Sequence, residues 1–285
     1  MKEDGHGLRL PPHSARLVRH ISDDELKMLL DKVYRERGAD FRNYKKASLA
    51  RRVAKRLALT GSASIGDYCS ALDSDASEYD RLLPILTIKV SEFFREPEVF
   101  YAVKRSLGAL PEADAGVRAW CCGCASGDEP YSLAILRAEG LGAPALRRSA
   151  VFATDVDAEA VDRARIAEYR EDALRNVPEA LMNKHFFMSS NVFYKVNYTI
   201  RNLVRFGVLD IVKGHPISRV HLLFCRNLFI YFNRHLQEAA FKKLDYALRP
   251  GGLLVLGKAE QVPMRWAARY YAVGDNGLNV FRKGI

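Results

Sequence analysis

Asp128 and Glu129 are two adjacent carboxylates set directly behind a run of small residues, Gly123-Cys124-Ala125-Ser126-Gly127, within the segment WCCGCASGDEPYS. The apolar stretch 117–122 before them reads as a buried strand, and a helix opens near Pro130 after them. A second apolar segment, VFATDVD, ends in another acid, Asp155. Strand, glycine turn, helix and a second strand tipped with a carboxylate form the front half of a nucleoside-binding crevice. The G-x-x-x-G spacing is not the dinucleotide fingerprint, and acids just past the turn repel a pyrophosphate. They suit a ligand carrying both a cation and a ribose, as S-adenosylmethionine (SAM) does. At Asp155 the reading is acceptance from both ribose hydroxyls, with a helix N-cap as the alternative. At the turn, Glu129 and Asp128 compete for the ligand-binding role. Ser126 with Glu129 also scores as a capping box.

Such a site needs a scaffold, and the pattern supplies one. From residue 117 strands alternate with helices, near 117–122, 150–155, 203–208, 220–225 and 253–257, which implies a largely parallel sheet. Covering helices are expected at Asp162–Tyr169 and His235–Leu248. Arg249-Pro250-Gly251-Gly252 reads as a helix stop and turn. Tyr270–Val273 and Leu278–Phe281, around an Asn-Gly turn, read as a closing antiparallel hairpin. Between about 183 and 206 the rhythm breaks into alternation (Val192, Tyr194, Val196, Tyr198, Ile200), which suggests a small antiparallel insertion. The fold class expected is α/β, a SAM-dependent methyltransferase (Rossmann-like) sheet with an N-terminal helical domain and this small β insertion.

The first 90 residues show helical periods only. Ser22 and Glu25 frame a capping box, followed by Leu26, Leu29, Leu30, Val33 and Tyr34 at helical spacing. A second helix is expected from about Tyr44 to Leu59 with Leu49, Val53 and Leu57 as its apolar stripe. Its other faces carry Lys45, Lys46, Arg51, Arg52, Lys55 and Arg56, with no acid among them. Further helices are expected at Ser64–Leu72 and from Ser77 to about Ile88. The division expected is a basic helical docking domain at 1–90 and a methyltransferase domain at 91–285.

The 285 residues carry 44 Lys+Arg against 34 Asp+Glu, a formal charge of +10. That excess favours an anionic partner without choosing its class. No apolar run of 18 residues occurs, which excludes a spanning helix by hydropathy, and the first 20 residues lack the apolar centre of a secretory signal. Five cysteines without framework spacing suit reduced thiols and a cytoplasmic location. Cys121, Cys122 and Cys124 crowd the glycine turn, but no second Cys/His pair has ligand spacing, so no metal site is expected.

Four segments in order, TIKVSEFFRE (87–96), GCASGDEPYS (123–132), VFATDVD (151–157) and FCRNLFIYF (224–232), resemble the chemotaxis receptor methyltransferases, the CheR family. The likeness runs from about residue 21 to 282. It implies transfer of a methyl group from SAM to glutamate side chains on the cytoplasmic helical bundle of a chemoreceptor, leaving S-adenosylhomocysteine. It also implies site residues. Arg95 matches a SAM-site position and suits the cation that welcomes a carboxylate, with a surface pair to Glu92 or Glu96 as the alternative. Tyr231 is the candidate hydroxyl near the transferring methyl. Lys89 and Ser91 match cofactor-contacting positions, where Lys89 departs from the usual asparagine. Asp210 and Ile211 match the adenine-flanking pair, with aspartate again replacing asparagine. Arg226 and Asn227 close the site, and the binding acid falls on Glu129. Ala259 stands where serine is usual before Glu260. Arg51, Arg52, Lys55 and Arg56 would form a docking strip for an acidic receptor helix, or else a solvated face. No stacking aromatics interleave them, so nucleic acid is not expected. Two other classes remain open: a SAM methyltransferase of RNA or of another protein, and a catalytically idle SAM-sensing module.

Overall fold

The computed structural model describes residues 20–87, 91–108, 116–140, 146–273 and 277–285. The chain divides into two compact units, Met1–Arg42 with Lys46–Leu86, and Asn43–Lys45 with Thr87–Ile285.

The first unit holds four helices, α1 (Asp23–Arg37), α2 (Lys46–Thr60), α3 (Ile65–Ser74) and α4 (Ser77–Leu86). The expected capping box opens α1: Ser22 Oγ accepts from Glu25 N–H at 3.2 Å and Ser22 N–H donates to Glu25 Oε2 at 3.0 Å. Gly38, at φ +68°, ends it. The apolar stripes Leu26-Leu29-Leu30-Val33 and Leu49-Val53-Leu57 are buried, as their 3.6-residue spacing predicts. The second helix begins at Lys46 rather than Tyr44. Tyr44 and Lys45 belong to the other unit, where Tyr44 bridges Phe232 and Lys45 N–H donates to Tyr231 O at 2.8 Å.

The second unit is built on a seven-stranded sheet in the order β6-β2-β1-β7-β8-β10-β9. Its strands are β1 (Arg118–Cys122), β2 (Ala150–Asp155), β6 (Val204–Val208), β7 (Val220–Cys225), β8 (Leu248–Leu256), β9 (Tyr270–Ala272) and β10 (Val280–Lys283). The first five pair in parallel, and β9 and β10 add antiparallel at one edge. This is the mixed α/β architecture expected. Side chains alternate across the sheet: Ala119 and Cys121 of β1 enter one core with Phe100, Val103 and Tyr131, whereas Trp120 and Cys122 enter the other with Phe241, Leu244 and Trp266. The covering helices are α5 (Pro97–Gly108), α6 (Asp128–Gly140), α7 (Ala158–Ile166) and α10 (Arg234–Ala247). Shorter helices α8 (Glu179–His185), α9 (Tyr198–Arg201) and α11 (Met264–Ala267) complete the set named here.

Three local expectations are corrected. The helix expected at Asp162–Tyr169 lies earlier, because Ala167 takes a left-handed turn (φ +59°) and Tyr169 enters a strand. The insertion is a separate sheet of β3 (Glu168–Arg170), β4 (Phe186–Ser190) and β5 (Phe193–Val196), ordered β3-β5-β4, so it begins before residue 183. Tyr198 and Ile200 lie on α9, and Val204–Phe206 on the main sheet, so the alternating pattern overran the strand that produced it. Finally, Arg249–Gly252 does not precede β8 but bulges within it. Pairing with β7 jumps from Val220↔Leu248 to Leu222↔Leu253, with Gly251 at φ +74° absorbing the bend. The Gly274–Asn276 part of the hairpin turn lies outside the described residues.

Candidate functional site

The first three residues of the glycine turn are fastened to β2. Gly123 and Cys124 N–H both donate to Thr154 O, at 2.8 and 3.0 Å, and Ala125 N–H donates to Asp155 Oδ2 at 2.9 Å. Gly127 is required by contact: a Cβ there would lie 2.8 Å from Ala164 Cβ and 3.0 Å from Tyr169 Oη, at a φ of +92°. Tyr169 donates its hydroxyl to Ser126 O at 2.7 Å, so the small sheet buttresses the turn.

A cavity of about 300 Å³ opens beside this turn, lined by Ser91, Glu92, Arg95, Gly123, Ala125, Glu129, Arg226, Asn227, Ile230 and Tyr231. Six of the expected site residues, Ser91, Arg95, Glu129, Arg226, Asn227 and Tyr231, therefore line one cavity. Three separate motifs are bonded together to build it. Phe94 N–H donates to Ser132 Oγ at 2.9 Å, tying SEFFRE to GDEPYS. Arg226 donates through Nη1 to Arg95 O at 3.0 Å and to Glu129 Oε2 at 3.1 Å, and through Nη2 to Glu96 Oε2 at 2.7 Å. With its side chain 1% exposed, Arg226 is a buried cross-brace as well as a cavity residue. Nearby, Glu96 is paired with Arg226, and Glu92 accepts from Arg175 and Asn176.

Strain collects here. Phe94, Glu96, Ala125 and Asn227 all have left-handed φ, between +45° and +58°, a region non-glycine residues enter at a cost. Such conformations persist where surrounding bonds over-determine them, as the three-way tie around Arg226 does.

Burial pushes the Glu129 carboxyl above its ordinary range, with Arg226 opposing and the Glu260 charge reinforcing the shift. A buried acid held against desolvation in a cavity is a receptor for a cationic group. Asp128 is also raised by burial, but hydrogen bonds from Ser126 and Ser91 hold it in the wall, 2% exposed. Asp155 sits at the end of β2, accepting from Ala125 and Asp157 N–H with one oxygen each, at 2.9 and 3.0 Å. Asp155 is not among the residues that line the cavity. The N-cap of α7 is Asp157, not Asp155: its Oδ1 accepts from Ala160 N–H at 3.0 Å.

Asp210 and Ile211 do not line the cavity. Asp210 Oδ1 accepts from Val212 and Lys213 N–H in an Asx turn, and Ile211 is buried in the Trp120 core. Lys89 lies outside the described residues. Cys121, Cys122, Cys124 and Cys225 are all buried beside the turn, and burial raises the thiols of Cys121 and Cys124.

On α2 the four proposed docking cations divide. Arg56 is bound by Glu78 at 2.7 and 2.5 Å, and Glu78 also accepts from Tyr68 at 2.6 Å. Arg52 donates to Leu86 O and Ser48 Oγ. Arg51 and Lys55 are exposed. The strip that shows no acid in its own window thus has acids supplied from other helices, Lys46 included through Asp23 at 2.7 Å.

Glu260 is the residue sequence reading undervalued. It is 3% exposed and accepts four backbone N–H groups, those of Asn227 and Gly257 on Oε2 and of Phe229 and Ile230 on Oε1. Its only sequence signal was its place in Lys258-Ala259-Glu260.

A parallel sheet closed by an antiparallel hairpin, with an acid-lined cavity at the carboxyl ends of β1, β2 and β7, defines the class of SAM-dependent methyltransferases. Residues 89–274 match the SAM-binding domain of the CheR methyltransferases, and residues 24–87 match the all-alpha domain of the same proteins. The chain belongs to the CheR family, and its cofactor is S-adenosylmethionine. It is 32% identical over 249 residues to the "Putative methyltransferase Cher3" of Pseudomonas putida, covering 85% of this chain and 90% of that one. It is 31% identical to the chemotaxis protein methyltransferase of Listeria monocytogenes, covering 81% and 87%. With the Escherichia coli chemotaxis protein methyltransferase it shares 28% identity, covering 84% and 85%.

Proposed function

We propose that this methyltransferase esterifies glutamate side chains on the cytoplasmic helical bundle of chemoreceptors, at the cytoplasmic face of the membrane. The observation that carries the reading is the meeting of Arg95, Glu129 and Tyr231 in the lining of one cavity. A glutamate acceptor is ionised at neutral pH, so the site needs no strong base. It needs alignment, exclusion of water and a cation or hydroxyl for the incoming anion.

Bound S-adenosylmethionine supplies a methyl group made electrophilic by its sulfonium. Glu129 is the group to hold the donor's cationic portion, and Asp155 the group to accept from its ribose hydroxyls. Ser91 and Asn227 line the same cavity as further donor contacts. Arg95 receives the acceptor carboxylate, and Tyr231 directs its hydroxyl to the reacting oxygen. Arg226 aligns these parts by bonding Glu129, the Arg95 carbonyl and the Glu96 carboxylate at once. Asp210, Ile211 and Lys89 stay proposals for the adenine and amino-acid ends of the donor.

The names of the curated relatives support chemotaxis as the setting. Exposed Arg51 and Lys55 are proposed to meet the acidic receptor, with long-range attraction that salt weakens. Among the described residues no helix is long and apolar enough to cross a membrane.

The test is transfer of labelled methyl to receptor-containing membranes followed by mild alkali. Base-labile label on receptor glutamates is expected. Alkali-stable label, or label on RNA, would replace this reading with another acceptor.

A further inference from the structure

Part of the cavity lining beyond the glycine turn belongs to the segment 226–231, which leaves the end of β7 as Arg226, passes through left-handed Asn227 (φ +58°), and forms a short 3₁₀ turn at Phe229–Tyr231. Neither a helix ladder nor the sheet ties down its first N–H groups. One side chain does. Glu260 Oε2 accepts from Asn227 N–H at 2.9 Å, and Oε1 accepts from Phe229 N–H at 2.7 Å and Ile230 N–H at 3.3 Å.

The carboxylate is itself anchored from behind. Its Oε2 takes Gly257 N–H at 2.7 Å, and its own N–H donates to Gly257 O at 2.9 Å. Asn279, just before β10, donates through Nδ2 to Gly257 O and Glu260 O at 2.8 and 2.6 Å. Gly257 is the point of close approach: a Cβ there would lie 2.7 Å from Glu260 Oε2 and 2.9 Å from Asn227 N. Four donors converge on two oxygens, an arrangement that only a carboxylate accepts without presenting a donor of its own.

We propose that Glu260 is a positioning residue for methyl transfer: its carboxylate fixes the 226–231 segment and thereby sets where Tyr231 meets the acceptor. The inference rests on the proposed role of Tyr231 at the acceptor side. It divides the site in two. On the donor side, Gly123, Cys124 and Ala125 are fastened to β2 by their own hydrogen bonds, none of which involves Glu260. On the acceptor side, three N–H groups of 226–231 are held by Glu260, while Gln237 and Lys45 N–H reach only the segment's carbonyls. Removing the latch therefore harms alignment more than donor binding.

The experiment uses the full chain and its Glu260→Gln and Gly257→Ala variants. Gln keeps the volume but faces an amide N–H₂ toward backbone donors, and Ala presses the latch apart without touching its charge. Both are expected to lower kcat about a hundredfold, the scale of a displacement near 1 Å in an aligned site. S-adenosylhomocysteine affinity, measured by calorimetry, is expected to change by less than about tenfold, because the bonds that join the glycine turn to β2 do not pass through Glu260. Glu260→Asp, which retains the charge and the acceptors, is expected to recover part of kcat.

Hydrogen exchange gives a second readout that needs no acceptor. The amides of Asn227, Phe229 and Ile230 are expected to be protected in the parent and to lose protection in Glu260→Gln, with those of Gly123, Cys124 and Ala125 unchanged. Fast exchange at the three amides in the parent, unchanged protection in a folded Gln variant, kcat within about threefold of the parent, or donor affinity falling as far as kcat would each overturn the proposal. Absence of transfer to receptor glutamates in the parent, with the exchange pattern as expected, would fail the acceptor reading and leave the latch standing.

Discussion

The basic face of α2 and the acidic turn before α6 look equally like ligand sites as strings of letters, and the folded chain treats their charges oppositely. On α2, Arg56 disappears into a pair with Glu78, whose side chain is 6% exposed, and Arg52 caps a carbonyl at the end of α4. Those charges are spent inside the unit. At the turn, Glu129 is paired with Arg226, which it shares with Glu96, and although the Arg95 charge opposes it too, burial still pushes its carboxyl up. A charge whose own fold leaves it short of compensation is the one poised for a ligand. Local density of one sign of charge is a weak guide by comparison.

That contrast can be broken most severely at Arg95. Arg95→Ala is expected to lower transfer about a thousandfold, at the upper end for loss of one electrostatic contact, with the melting temperature preserved. Retained turnover on receptor membranes would remove Arg95 from the reaction.

The next largest effect is expected in the helical unit and on stability alone. Arg56→Ala leaves the buried Glu78 carboxylate without its bidentate partner, at a cost of about 3 kcal/mol in denaturant unfolding. Arg51→Ala, on the same helix, is expected to fall within about 0.5 kcal/mol. Equal effects would show that the division of α2 into internal and exposed cations is wrong.

A pH series sharpens the acidic half of the comparison. A cationic donor favours ionised Glu129, and burial raises that group's folded-state value. Donor affinity is thus expected to weaken as pH falls, starting above the ordinary glutamate value of about 4.3. The limb should vanish in Glu129→Gln, measured by calorimetry with S-adenosylhomocysteine. A limb unchanged in that variant would assign the titration elsewhere.

The smallest effect is expected from neutralising Arg51 and Lys55 together. Exposed charges contribute under about 1 kcal/mol each, so receptor affinity should drop by about fivefold at low salt and little at high salt. Donor affinity should not move. Equal losses in both would contradict a docking role.

Most of the architecture was legible in the sequence, because buried strands and amphipathic helices carry their periods wherever they pack. The capping box at Ser22, the five parallel strands and the closing hairpin all followed from such local signals. The small sheet was placed late because β3 is three residues long, too short for any period, and because its neighbour α7 ends at an alanine in a left-handed turn. The candidate site was legible as residue types at motif spacing, but not as bonds. Nothing in GDEPYS announces that Ser132 holds the Phe94 amide, and nothing in CRN announces that Arg226 reaches two acids and a carbonyl.

The amino-acid sequence by itself determined which segments are strands and helices, where the glycine turn falls, and which acids and cations stand at the strand ends, since each depends on neighbours a few residues away. Only the tertiary structure decided which charges are consumed and which are left to work. Arg56 and Arg51 are chemically identical and five residues apart, yet one meets a buried carboxylate brought by another helix and the other meets water. Burial and partnership are set by what the chain brings together across tens of residues, and the balance of desolvation against pairing is struck only there.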